Sequence, residues 1–298
     1  MLENQEENHA APSFSQDLSV LMKVRLNFFV LITAFFGYLL ARKGSSIEWW
    51  TLMHTLIGTA AAAFGSAAFN QLMEIDLDRL MQRTADRPLP SERMNPVTAF
   101  AVGWILSALG IIHLAVMVNP PAAYLTAATI GIYVFVYTPL KRVSSVNTLV
   151  GAIPGAIPPV IGWAGGGGAI LSPEAWFLFG ILFFWQLPHF VAINWLCREE
   201  YESAGYQMWS NGDASGKKSG MLCAVFCGVL AAFSLLPLYW GFAGLSWFIG
   251  GPMLALFMLL LSLRFIKNAE RKSCRTLFFS TLAYLPFALI LLLFAWHS

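Results

Sequence analysis

The chain has 298 residues, 57% of them hydrophobic and only 11% charged, with a formal net charge of +2. Ordinary soluble domains carry about 25% charged residues, and here the apolar residues fall in long runs, which excludes a soluble globular domain and gives no reason to expect a nucleic-acid partner. A transmembrane β-barrel would show short alternating segments instead, so the reading is an all-α polytopic membrane protein embedded in lipid.

The first 17 residues hold Glu3, Glu6, Glu7 and Asp17 and no Lys or Arg. That is neither a secretory signal nor an Arg-rich transit peptide. Residues 1–19 are expected to form a disordered tail, with one membrane domain over 20–298. A helix needs about 20 apolar residues to cross a bilayer. Nine candidate spans follow, at 24–41, 49–69, 96–118, 122–138, 146–163, 174–196, 220–240, 245–264 and 276–296.

The second span runs out into "NQLMEIDLDRLMQRTADRPLP", residues 70–90, with four acids and three arginines. On a helix, Asn70, Glu74 and Asp78 recur every fourth residue and make one polar stripe; Asp76 points to another side. Acids at a bilayer edge are costly and usually functional. Their oxygens suit Mg²⁺, which is held by one or two carboxylates plus substrate phosphates. Arg79, Arg83 and Arg87 follow at spacings of four, and arginine is the usual bidentate partner of phosphate. The "RPLP" at 87–90 is expected to end the helix.

Span four leaves through "YTPLKR", 137–142. Lys141 and Arg142 there fit either diphosphate contacts or plain membrane anchors. Span five, "GAIPGAIPPVIGW", carries three prolines and three glycines and should be kinked or unwound. Such backbone survives in a membrane only if protein covers it or it faces a cavity.

Span six leaves through "WQLPHFVAINWLCREEYESAG", 185–205. His189, Leu196 and Glu200 share one helix face, with Glu199 beside it. A buried histidine is commonly a hydrogen-bonded core residue, but a polar ring deep in a membrane needs a reason. The two acidic exits face one compartment and are natural partners. Together they would clamp Mg²⁺ on Asn70, Glu74, Asp78, Glu199 and Glu200, with the arginines and Lys141 on a diphosphate and the apolar spans around its tail. Cys197, Cys223, Cys227 and Cys274 form neither a disulfide framework nor a zinc pattern.

With Met1 on the cytoplasmic side, the inside segments hold sixteen of the 18 Lys and Arg, and the outside segments only Arg42 and Lys43. That bias sets the orientation: N-terminus cytoplasmic, C-terminus outside, in a plasma (inner) membrane.

The series N-x-x-x-E-x-D-x-D-x-x-M-x-R-T-x-x-R-P-L, then "YTPLKR", "GAIPGAIPPVIGW", "WQLPHF…REEY…AG" and "STLAYLP" at 280–286 resembles the protoheme IX farnesyltransferase (haem O synthase) family of the UbiA-type intramembrane prenyltransferase superfamily. The resemblance covers nearly the whole chain, from about Lys23 to Tyr284. It implies nine helices around a central cavity open to the cytoplasm, with haem b and farnesyl diphosphate as substrates and Mg²⁺ as cofactor. It places the family's first acidic motif on Asn70, Glu74 and Asp78 and its second on Glu199 and Glu200, and suggests a haem-side role for His189. The wider superfamily is richer in Asp at these positions. Tyr137 and Trp185 are the candidates to steady an allylic cation, and docking to a haem A synthase or to oxidase assembly factors is the partner expectation. Competing readings are a related prenyltransferase acting on a quinone precursor or chlorophyll-type ring, an ion-coupled transporter, and a non-catalytic haem chaperone. The gathering of acids at one face and the lack of an internal repeat disfavour the transporter.

Overall fold

The computed structural model describes residues 12–297. The part of the expected tail at residues 1–11 lies outside the described residues. Residues 14–19 of that tail are helical, which corrects the expectation of disorder for them. Ser13 caps α1 (Phe14–Leu21) with a reciprocal pair of bonds to Gln16. Leu21 is buried with Ala68 and Leu89, and Arg93 holds the Asp17 carboxylate at 3.0 Å. The capping box is local and readable in the sequence, whereas the contacts of Leu21 and Asp17 come from distant parts of the chain.

The membrane elements follow. They are α2 (Val24–Ala41) and α3 (Trp49–Met73), a short α4 (Ile75–Asp78), and α5 (Pro96–Met117). Then α6 (Pro120–Gly131) passes through a π-helical turn, Ile132–Tyr137, into α7 (Thr138–Leu140). Next come α8 (Asn147–Ala156), α9 (Pro158–Gly165), α10 (Pro173–Leu196) and a short α11 (Arg198–Ser203). The chain ends with α12 (Lys217–Phe233), α13 (Leu236–Trp240), α14 (Leu245–Asn268) and α15 (Arg271–Ala295). Among the described residues, nine segments are long and apolar enough to cross a membrane, at the nine places the sequence pattern predicts. The ends carrying the segments at 74–95, 141–146 and 197–216 share one side, called here the basic face.

The fifth span breaks as its prolines require. Ile157 separates α8 from α9, and most of the span, 78%, is buried, against 22% for Pro96–Met117. The broken backbone is therefore wrapped in protein rather than exposed to lipid. Close approach to α2 makes this possible. A Cβ on Gly162 would collide with the Ala34 carbonyl, and one on Gly37 with that of Pro159. Small residues that let backbones touch are the usual glue of membrane helices, where apolar burial gives no net drive. The largest core cluster joins α10, α12, α14 and α15 around Phe177, Leu178, Leu230, Trp247 and Phe265.

Two expectations about the exits need correction. The helix of span two does not run on through the arginines: α3 stops at Met73, Glu74 turns to φ −106°, and only one further turn forms before a run of turns at 79–95. Likewise α10 ends at Leu196 and α11 restarts after Cys197, so His189 and Glu200 do not lie on one continuous helix.

Candidate active site

The interruption at Glu74 decides the site. It turns the Glu74 and Asp78 carboxylates inward, and both are buried. The turn-rich segment after α4 folds back over them. Thr84 donates its hydroxyl to the Asp78 carbonyl at 2.8 Å, and Arg87 returns to bond the Asp78 carboxylate at 2.7 Å. Lys141, carried in by α7, donates to Glu74 at 2.7 Å. Burial works to raise the Glu74 pKa, but Lys141 and Lys23 outweigh it and hold the carboxyl below its ordinary value. For Asp78 burial wins over Arg87, and the pKa is raised. Burial opposes the charge of Lys141 too, yet Glu74 overcomes it and the ammonium stays well above its ordinary value.

Lys23 is the cation that sequence reasoning assigned to topology alone. It sits between α1 and α2 in the left-handed region, φ 48° and ψ 46°, a conformation a side chain other than Gly, Asn or Asp enters at about 1 kcal/mol or more. The cost aims its ammonium inward, where it donates to the Asn70 amide oxygen. Asn70 in turn donates to Thr138 Oγ1 at 3.1 Å, so Asn70 positions Lys23 and ties α3 to α7. Burial, with Arg87 next in effect, pushes the Lys23 ammonium down to about 7. Neither its strained backbone nor its inward aim has any signature in the spacing of charges.

Lys23, Glu74, Asp78, Thr84, Arg87 and Lys141 line one cavity of about 360 Å³ at the basic face, lined also by Arg83, Tyr133, Tyr137, Tyr201, Tyr206 and His189. The π turn puts Tyr133 and Tyr137 on one side, ring centres 5.5 Å apart; such turns mark functional sites more often than chance. The Lys141 ammonium lies 4.6 Å from the Tyr137 ring centre. Arg83 stacks over Tyr201 at 4.4 Å, and its Nε is 3.6 Å from Glu200 Oε2. That oxygen is buried and has no hydrogen-bond partner. A cover over the cavity is stitched by the segment after α11: Gln207 N–H donates to the Lys141 carbonyl at 2.8 Å, and the Asn147 amide donates to the Gln207 carbonyl. Asp213 anchors the far end of that cover through the Ser219 N–H at 2.7 Å.

His189 reaches the same cavity from α10. Its ring stacks between Trp185 and Phe278 and shares a 2.9 Å hydrogen bond with Thr281 Oγ1. The Thr281 hydroxyl proton goes to the Phe278 carbonyl at 2.6 Å, so Oγ1 accepts from His189 Nδ1–H. The ring's lone pair is then on Nε2. Trp185 itself turns its N–H to the Thr281 carbonyl and supports His189 rather than lining the cavity.

Three expected residues are placed elsewhere. Arg79 bonds the Pro90 carbonyl and Glu92 on the surface. Arg142 donates to the Met73 carbonyl and is exposed. Glu199 is 79% exposed and paired with Arg198. The structure thus gathers Asn70, Glu74, Asp78, Arg83, Arg87, Tyr137, Lys141, His189 and, behind Arg83, Glu200; it adds Lys23, Tyr133, Tyr201 and Tyr206. A fourfold spacing marked Arg79 and Arg83 alike, and only the break after Met73 separates them.

Comparison with known proteins gives the family and the fold. The profile of the UbiA prenyltransferase family matches residues 30–296. The chain is 39% identical to the protoheme IX farnesyltransferase of Opitutus terrae over 278 residues, 92% of each chain. Among solved structures it is similar to a digeranylgeranylglyceryl phosphate synthase, with a TM-score of 0.78 at 14% identity over 94% of this chain and 98% of that one. It is similar as well to a UbiA homolog from Archaeoglobus fulgidus bound to DMAPP and Mg²⁺, with a TM-score of 0.66 at 13% identity over 92% and 98% of the two chains.

Proposed function

Since the chain belongs to the UbiA prenyltransferase family, we propose that its cavity joins farnesyl diphosphate to a vinyl group of haem b, with addition of water, to give haem O and diphosphate. The observation that carries the donor half is the convergence of Lys23, Arg87 and Lys141 with Glu74 and Asp78 in one cavity whose lining also holds four tyrosines and His189. The acceptor is the one named for the Opitutus terrae relative. The basic face is the cytoplasmic one by the positive-inside rule, in the plasma membrane, with the C-terminal end of α15 outside.

The residues fit Mg²⁺ in company with substrate. Among the described residues, no three His, Cys, Asp or Glu groups stand close enough for a site made by protein alone. Glu74 and Asp78, both in the cavity lining, would supply the one or two carboxylates that Mg²⁺ takes alongside phosphates, with Glu200 behind Arg83. Bound there, the ion would neutralise charge as it builds on the departing diphosphate.

The chain's own cations do the same work from the other side. Lys141 and Arg87 exchange their carboxylate partners for phosphate oxygens, and Lys23 needs only to leave Asn70. As the bond from the farnesyl C1 to oxygen breaks, the diphosphate keeps the electron pair and the allylic cation faces Tyr133 and Tyr137, whose rings attract positive charge. A vinyl carbon attacks C1. Water adds to the resulting cation and releases a proton, completing the hydroxyethylfarnesyl group. The segment over the cavity, through Tyr206 and Gln207, limits early capture of the first cation by water.

Purified protein incubated with haem b and farnesyl diphosphate, with and without Mg²⁺, tests the reading by mass spectrometry of the haem. A gain of farnesyl plus water that requires Mg²⁺ is expected. No haem product, with prenylation of an added aromatic acid instead, would keep the donor site and overturn the acceptor.

A further inference from the structure

Lys141 and Arg87 are aimed into the cavity by carboxylate partners. Lys23 is aimed by its left-handed backbone, and a helix end does not hold that shape unaided. The last carbonyls of a helix have no partner within it. At the end of α1, those of Val20, Leu21 and Met22 are taken by side chains from two other helices. The Gln71 amide of α3 donates both its hydrogens, to the Val20 carbonyl at 2.7 Å and to the Leu21 carbonyl at 3.0 Å. The Asn27 amide of α2 donates to the Met22 carbonyl at 2.8 Å and to the Ala63 carbonyl of α3 at 3.3 Å. The three carbonyls immediately before Lys23 are thus tied to α3, directly or through Asn27.

Gln71 is fully buried, and its Oε1 has no hydrogen-bond partner among the described residues. Turning the amide over would set that oxygen against two carbonyl oxygens, so the two bonds fix the orientation. A buried acceptor left without a partner is costly, yet neither Gln71 nor Asn27 is among the described residues that line the cavity. The neighbour of Gln71 is Asn70, which receives the Lys23 ammonium. Two adjacent residues of α3 therefore grip Lys23 at both ends: Gln71 holds the backbone before it and Asn70 holds its charge. Three residues beyond Gln71 comes Glu74, in the cavity lining.

We propose that Gln71 and Asn27 are positioning residues for the diphosphate: by pinning the turn between α1 and α2, they hold Lys23 in its inward conformation while its ammonium passes from Asn70 to a phosphate oxygen. The proposal rests on the donor half of the reading above. The bond to Asn70 breaks when the diphosphate binds. The bonds from Gln71 and Asn27 remain, because they go to backbone that the substrate does not touch.

The test is the affinity of the purified protein for inorganic diphosphate with Mg²⁺ present, by titration calorimetry. The variants are Lys23→Met, Gln71→Met, Asn27→Leu, and each of the last two combined with Lys23→Met. Methionine matches glutamine in length and removes the amide. Lys23→Met should weaken binding about tenfold or more, the worth of one charge-assisted contact. Gln71→Met and Asn27→Leu should each lose a large part of the same factor. In the Lys23→Met background neither should weaken binding further, since residues that act through a shared partner are not additive. Ties that only hold α1 to the bundle would instead lower the melting temperature and change affinity by one factor with or without Lys23, and that result would overturn the proposal. Wild-type affinity in Gln71→Met would overturn it as well, and Asn27→Leu carries the test if Gln71→Met fails to fold. Wild-type affinity in Lys23→Met would remove Lys23 from the donor site and the proposal with it, whereas a wild type that binds no diphosphate would remove the donor reading itself. No acceptor enters the measurement, so its outcome does not depend on the haem half of the reading.

Discussion

Replacing Lys141 by Met separates the structural role of the Lys141–Glu74 pair from its chemical one. The two side chains are 13% and 5% exposed and 2.7 Å apart, so the pair is buried and its partners cannot fall back on water. Removing one member of such a pair leaves the other charge stranded, at a typical cost of ~3–5 kcal/mol. Here Lys23 also acts on Glu74, so the expected loss is smaller, about 2 kcal/mol. The double variant Lys141→Met with Glu74→Gln strands no charge and should recover most of that loss. Activity should behave differently. Each variant lacks a cation that faces the leaving diphosphate, and turnover should drop about 100-fold or more in both, the usual effect of deleting one donor to developing charge. Thermal unfolding in detergent reads the first quantity and the haem product assay the second. A double variant no more stable than the single one would refute the stranded-charge argument. Wild-type turnover in either would refute the role of Lys141 at the diphosphate.

Asp78→Ala should abolish turnover while leaving a folded, membrane-inserted protein, since Arg87 is partly exposed and can hydrate; wild-type-like product formation would remove Asp78 from the metal–diphosphate site. Gly162→Ala places a methyl against the Ala34 carbonyl and should cost about 3 kcal/mol or more, seen as a lower melting temperature; an unchanged melt would mean that α2 and α9 yield more easily than backbone contact suggests. Burial works to raise the Asp213 pKa, but bonds from Ser219 and Ser215 outweigh it, so the folded value lies below the ordinary 3.8. The carboxylate's contribution is then complete above 3.8 and is lost as pH falls through the depressed folded value. Asp213→Ala should be about 1 kcal/mol less stable at pH 7, with the gap closing below pH 4; a gap constant down to pH 3 would contradict the assignment.

The nine spans, the break in the fifth and the side that carries the charge are all legible in the sequence, because each follows from composition along a single segment. A bilayer demands long apolar runs, and proline interrupts a helix wherever it falls. The polar residues of the site are legible for the same reason: Asn70, Glu74, Asp78 and His189 are polar groups where a polar group is costly. The arginines are less so. Arg79, Arg83 and Arg87 have equal spacing and equal chemistry, yet the first binds Glu92 on the surface and the other two turn into the cavity. What separates them is the bend at Glu74 and the fold-back of the following segment, a result of contacts with α7 and α11. Glu199 and Glu200 are adjacent and divide in the same way, because α10 stops at Leu196 before either. Lys23 and Tyr206 were invisible to pattern altogether. Lys23 looks like any cytoplasmic anchor until a left-handed backbone aims it inward, and Tyr206 joins the site only because Gln207 and Asn147 pin its segment over the opening. Spacing along one helix fixes which residues share a face, and packing between helices decides which of those faces meet.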